Sequence, residues 1–296
     1  MDIQFPVAAD DFRHPLQEGE HEAFYFVFSA PDQQVFGFLR TLFGHDDVLE
    51  LVALHFGGRT WAYRQRTPLS GKYSLPGDAS GPALTMACRQ PWHDWRCRFR
   101  ANMQAVEETI EEAVEIDLTF AASNTPALYR LGPYQQAEQE GWMSGYVQVG
   151  EERWAGQCLC YRDRSWGRRT LEIPAAGWIV ACVPDRLYVV AIEIGDQTIG
   201  WGRVTSPEGA FRPIHAPVVT AGDTWRIRDP QADLDTWQAR RQVPPIVAQL
   251  GLAGQEAIRN TPQAGDLYRD ETGPAIFTSP QGEELVGFVE YARRIA

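Results

Sequence analysis

The sequence predicts a mainly β protein of the sandwich or barrel kind. Three observations lead there. Apolar residues come in short runs of roughly five to nine, a length that suits strands better than helices. The runs are separated by Gly, Pro, Asp and Asn, which make tight turns. Helical periodicity is scarce, so the strands are not interleaved with the helices that a parallel βαβ sheet requires.

In chain order the strand candidates are Ala23 to Phe28, Val35 to Leu42, Val48 to Phe56, Ile116 to Ala121, Trp142 to Val149, Gln157 to Tyr161, Trp178 to Val183, Leu187 to Ile194 and Gly200 to Val204. Turn signals sit between them at Pro31-Asp32, Gly57-Gly58, Gly150-Glu151, Pro184-Asp185, Gly195-Asp196 and Pro207-Glu208-Gly209. Leu69 to Pro82 is rich in Gly, Ser and Pro and reads as a long surface loop. Ser123 to Tyr134 also reads as a loop. Ala101 to Val114 contains good helix formers, but Glu107, Glu108, Glu111 and Glu112 repel one another, and a loop with a strand fits equally. Pro245 to Ile258 is the better helix candidate: Pro245 suits a first turn, and Ile246, Leu250 and Ala253 share one face. With 296 residues, two domains are expected, and the boundary is placed near Gly150, giving 1–150 and 151–296.

Composition narrows the function. The net charge of −12 and the lack of a basic stripe exclude nucleic acid as a partner. No apolar stretch approaches the ~18 residues of a membrane span. Five cysteines without a Cys-x-x-Cys spacing, and a start at Met1-Asp2-Ile3-Gln4-Phe5-Pro6 without a basic and then apolar leader, lead to the expectation of a reduced, cytoplasmic protein. Ten Trp, ten Tyr and fourteen Phe suit strands and apolar pockets, so the expected partner is a hydrophobic small molecule. His45-Asp46-Asp47 reads as a solvated turn, because no second ligand cluster accompanies it, and no metal or other cofactor is expected. Trp92-His93-Asp94-Trp95 reads as a loop or strand edge, and Cys158 and Cys160 as core packing. No Walker A sequence or Gly-x-Ser-x-Gly elbow is present.

The most distinctive segment is Cys160-Tyr161-Arg162-Asp163-Arg164-Ser165-Trp166-Gly167. Read as a strand, it places Tyr161, Asp163 and Ser165 on one face and Arg162, Arg164 and Trp166 on the other. With Asp163 on the interior face, burial would favour its protonated form. A neighbouring arginine would oppose that. The structural alternative is an Arg–Asp network tying the β domains together.

Tyr161-x-Asp163-x-x-Trp166-Gly167 resembles the signature of the carotenoid 1,2-hydratase and hydroxyneurosporene synthase family, whose relatives include kievitone hydratase-like and attachment-protein-like sequences. Phe36 to Arg40, Tyr134-Gln135-Gln136, Gly145-Tyr146-Val147 and Gly287 to Tyr291 are similar to other parts of that pattern. The hydratase branch carries a His-containing motif upstream of its signature, whereas this chain has Pro133-Tyr134-Gln135-Gln136 there. The resemblance implies two packed lipocalin-like antiparallel β-barrel or β-sandwich domains with few short helices. It also implies Asp163 as proton donor to a C=C bond, with Tyr161 as its neighbour. Ser165, Trp166, Tyr134 and Trp142 are the candidate substrate-binding residues. The expected activity is a cofactor-free hydratase or dehydratase, isomerase or cyclase acting on a terpenoid, steroid or polyketide-like substrate. A non-catalytic carrier or sensor of a hydrophobic molecule is the alternative.

Overall fold

The computed structural model describes residues 6–30, 32, 34–69, 79–131, 133–168, 175–194, 197–205, 211–215, 218–220, 224–228, 236–251 and 256–295. They form two compact units, Met1–Thr170 and Leu171–Ala296, and each carries one antiparallel sheet. The only helical piece among the described residues is a 3-10 turn at Ala8–Asp11. The expected β class is what the chain adopts.

The first unit contains β1 (His21–Ser29), β2 (Phe36–Phe43), β3 (Asp47–Phe56), β4 (Arg59–Pro68), β5 (Leu84–Gln90), β6 (Asp94–Ala105), β7 (Glu111–Ala122), β8 (Ala127–Leu131), β9 (Tyr134–Val149) and β10 (Glu152–Gly167). Pairing runs β10-β1-β2-β3-β4-β6-β7-β9, and β9 pairs again with β10, so eight strands close a ring. β5 and β8 attach to β6 and β9 outside it. Closure leaves these ring strands no free edge, the weak point of an open sheet. The interior is filled by aromatic and aliphatic side chains, among them the fully buried Phe24, Phe26, Phe28, Phe43, Trp95 and Phe120. Cys97, Cys158 and Cys160 pack in this core as expected, and burial pushes the Cys97 and Cys158 thiols up to about 12. Glu50 on β3 is also buried, and its carboxyl accepts the amides of Ala83 (3.0 Å) and Leu84 (2.6 Å).

The second unit contains β11 (Ala175–Val183), β12 (Leu187–Ile194), β13 (Gln197–Thr205), β14 (Phe211–His215), β15 (Val218–Thr220), β16 (Trp225–Arg228), β17 (Thr236–Arg240), β18 (Ile246–Gly251), β19 (Glu256–Ile258), β20 (Asp266–Thr278) and β21 (Glu284–Arg294). The order is β14-β13-β12-β11-β21-β20-β17-β16-β15, with β18 joining β20 and β19.

Three expectations are corrected. The helix expected at Pro245 to Ile258 is instead the β18 and β19 strands: Ile246 and Val247 favour an extended backbone, and β18 pairs with β20 from Ile246 onward. Ser123 to Tyr134, expected as a loop, contains β8; Ala101 to Val114 is the end of β6, a turn and the start of β7, in keeping with the loop-and-strand alternative. The expected break near Gly150 is a hairpin turn between two 16-residue strands, with Gly150 at φ +56°. The signature strand β10 therefore belongs to the first unit, where it bonds to both β9 and β1. Most of the expected loop at Leu69 to Pro82 lies outside the described residues.

Candidate functional site

β10 ends with the signature, and its side chains alternate as a strand requires. The register sets Cys160 against Phe28, Arg162 against Phe26 and Arg164 against Phe24. Those phenylalanines are core residues, so the arginine face looks inward and Asp163 lies on the opposite face. The expectation of Asp163 on the interior face is thus corrected.

Two buried arginines in a barrel core are expensive unless each is paired and hydrogen-bonded. Both are. Arg162 forms an ion pair with Asp11 and lies 4.7 Å from the Trp95 ring and 5.1 Å from the Trp92 ring. Asp11 also accepts the Trp92 amide (2.6 Å) and the Trp95 indole (2.9 Å). Arg164 donates to Glu22 (2.5 Å) and to the Phe12 carbonyl (2.7 Å), and sits 3.9 Å over the Phe24 ring. Glu22 further accepts the amide (2.9 Å) and ring nitrogen (2.7 Å) of His14. Burial opposes ionisation of Glu22, but Arg164 and His14 outweigh it and hold the carboxyl below its ordinary value of 4.5. Burial draws Arg164 down in turn, with Glu22 opposing; a guanidinium keeps its charge regardless. These bonds fasten the segment from Val7 to His14 to the barrel. The arginines of the signature are architectural.

The other face is polar. Tyr161, Asp163 and Ser165 stand opposite Glu140, Glu138 and Gln136 of β9, and Asp163 stands opposite Tyr25 of β1. Tyr161, Ser165, Glu138 and Glu140 are buried, and Asp163 is half-buried. Gln136 connects the group. Its Nε2 donates to Glu138 Oε1 (2.5 Å) and to Asp163 Oδ2 (2.8 Å), and its Oε1 accepts the Tyr134 hydroxyl (3.1 Å). A side-chain amide has two N–H groups and one carbonyl, and this pattern uses all of them. Two carboxyl groups are thereby held at one nitrogen. Arg40 of β2 follows in register beyond Tyr25, its guanidinium 5.8 Å from that ring.

Of the expected site residues, the structure brings Tyr161, Asp163, Ser165 and Tyr134 to one face. Trp142 shares that face, opposite Leu159 and one pair beyond Glu140. Trp166 does not: it packs with Trp92, Leu128 and Ala137 on the opposite face and stacks on His14 at 4.9 Å. Gly167 ends the strand at φ +106°, where a Cβ would run into the Pro133 carbonyl, so glycine is required. Sequence reasoning missed Gln136 and Glu138. Their signal was the alternation Tyr134-x-Gln136-x-Glu138-x-Glu140-x-Trp142, which is one face of a strand. Among the described residues, no cluster of three or more His, Cys, Asp or Glu is placed to hold a metal, and no helix is long and apolar enough to cross a membrane.

Comparisons with known proteins agree on the fold. A structure from Nitrosomonas europaea, provisionally named AttH, is 16% identical over 92% of each chain, with a TM-score of 0.65. Kievitone hydratase from Nectria haematococca is 10% identical, covering 93% of this chain and 89% of that one, with a TM-score of 0.57. CghA, solved with Sch210972, is 8% identical, covering 94% and 89%, with a TM-score of 0.52. No curated protein matches the sequence. The sequence model of a domain of unknown function, DUF7064, matches residues 7–230, and the chain belongs to that family.

Proposed function

We propose that the protein is a cofactor-free enzyme of the hydratase, isomerase or cyclase kind, acting on an apolar small molecule, with Asp163 as its acid. The observation behind this reading is the Asp163 carboxyl held by Gln136 beside Glu138, on the face that carries Tyr161 and Ser165. An acid that protonates an alkene has to be held at a fixed point, and the bond from Gln136 fixes the Asp163 carboxyl. In a hydration, the Asp163 proton goes to one alkene carbon, water adds to the other, and the oxonium proton returns to the carboxylate. Gln136 orients the acid, and Tyr161 and Ser165 place the substrate or the water. The fold shared with kievitone hydratase and with CghA supports a hydratase- or cyclase-type reading.

The test is incubation of the full chain with kievitone and a panel of prenylated and polyene compounds, followed by mass spectrometry. Gain or loss of one water, or an isomeric product, is expected for a member of the panel. Asp163→Asn should lower that turnover at least about a hundredfold, the lower end for a general acid. Full turnover by Asp163→Asn removes Asp163 from the chemistry. Tight binding with every compound recovered unchanged replaces the enzyme with a carrier.

A further inference from the structure

In the first unit three buried indoles find an acceptor: Trp61 donates to the Phe56 carbonyl (3.3 Å), Trp92 to the Val7 carbonyl (2.8 Å) and Trp95 to Asp11 (2.9 Å). In the second, Trp225 and Trp237 are 6% and 3% exposed, and neither indole N–H has an acceptor among the described residues. A buried donor left unpaired costs about 1–3 kcal/mol, so native interiors rarely keep one without a reason.

Both indoles belong to the core cluster of that unit. β16 and β17 pair Trp225 with Ala239 and Ile227 with Trp237, so the two tryptophans are diagonal neighbours on one face, about 7–8 Å apart. The core around them is lined with small residues: Ala181, Ala191, Ala239 and Ala275 are all buried in the same cluster. The first unit fills its interior with phenylalanines instead. Small side chains beside unpaired donors are where a bound molecule would complete the packing.

The orphaned groups are donors, so their missing partner is an acceptor. It is not an anion. The cation over the Trp225 ring, Arg241 at 4.7 Å, is already matched by Glu271 at 2.9 Å. We propose that the interior of the second unit binds an apolar molecule through a neutral oxygen, a ketone, ester or hydroxyl, that accepts the N–H groups of Trp225 and Trp237. This site is independent of Asp163 and of the chemistry proposed there.

The test uses the full chain labelled with nitrogen-15 at its ten tryptophans. The probe is a medium-chain methyl ketone, with the alkane of the same length as control. The indole signals of Trp225 and Trp237, identified by their loss in Trp225→Phe and Trp237→Phe or by through-bond assignment of the unaltered chain, should shift and saturate with the ketone. Half-saturation should need about tenfold less ketone than alkane, the ratio that one net hydrogen bond supports. If neither signal moves up to the solubility limit, the site does not exist. If ketone and alkane bind alike, the core takes up apolar matter without using the indoles, and the proposal fails.

Discussion

Replacing Asp11 by alanine should destabilise the first unit more than any other single change outside the hydrophobic core. The carboxylate is fully buried and serves three donors: the Arg162 guanidinium, the Trp92 amide and the Trp95 indole. Arg162 is itself 1% exposed. Removing one partner of such a pair leaves an uncompensated buried charge, at a cost of about 3–5 kcal/mol. Two further donors lose their acceptor, each at roughly 1–3 kcal/mol, although relaxation and water entry keep the sum below the total of the parts. The loss is a large share of the ~5–15 kcal/mol by which a domain is usually stable. The assay is urea unfolding of the unaltered chain, Asp11→Ala, Arg162→Met and the double variant. Methionine refills the space of Arg162 without its charge, so the double variant should recover at least about 2 kcal/mol over the sum of the two single losses. Additive losses, or a cost for Asp11→Ala under about 1 kcal/mol, would show that the pair does not hold the Val7–His14 segment in place.

Two glutamates should give opposite pH signatures. Glu22 titrates below 4.5 in the folded chain, so its contribution is complete above that value and is lost as pH falls through the folded pKa. The stability gap between the unaltered chain and Glu22→Gln should therefore be constant near neutrality and shrink in acid; a gap that stays constant below pH 4.5 refutes the pairing. Glu50 is the reverse: burial raises it above 4.5, against the Leu84 and Ala83 amides and Tyr63, which lower it. Its contribution is complete below 4.5 and lost as pH rises through the folded pKa, so Glu50→Gln should gain on the unaltered chain as pH rises from 4.5 towards neutrality. A difference independent of pH over that range sinks the reading of Glu50 as an interior acid.

Much of the fold could be read from the sequence because its signals are local. Ala23 to Phe28, Val35 to Leu42 and Val48 to Phe56 became β1, β2 and β3 with ends shifted by a residue or two. Pro245 to Ile258 misled because a three-residue apolar spacing over one short stretch also fits a β-branched strand, and β18 is settled by its partner β20. Gly150-Glu151 looked like a domain edge because the same residues that end domains also make hairpin turns. The site was partly legible. Asp163, Tyr161 and Ser165 stood out in the signature, whereas Gln136 and Glu138 lie on another strand and meet Asp163 only through the β9–β10 register.

The sequence alone determined the class of structure and the partition of the signature into two faces, since alternation is a property of any extended backbone. It did not determine which face is the interior. That depends on where the neighbouring strands bury their apolar side chains, and β1 presents Phe24, Phe26 and Phe28 to the arginines. Nor could it name the carboxylates that make this tolerable. Asp11 and Glu22 stand 151 and 142 residues from Arg162 and Arg164. Only closure of the barrel, with β10 paired to β1, brings those charges together and leaves Asp163 on the face where Gln136 holds it.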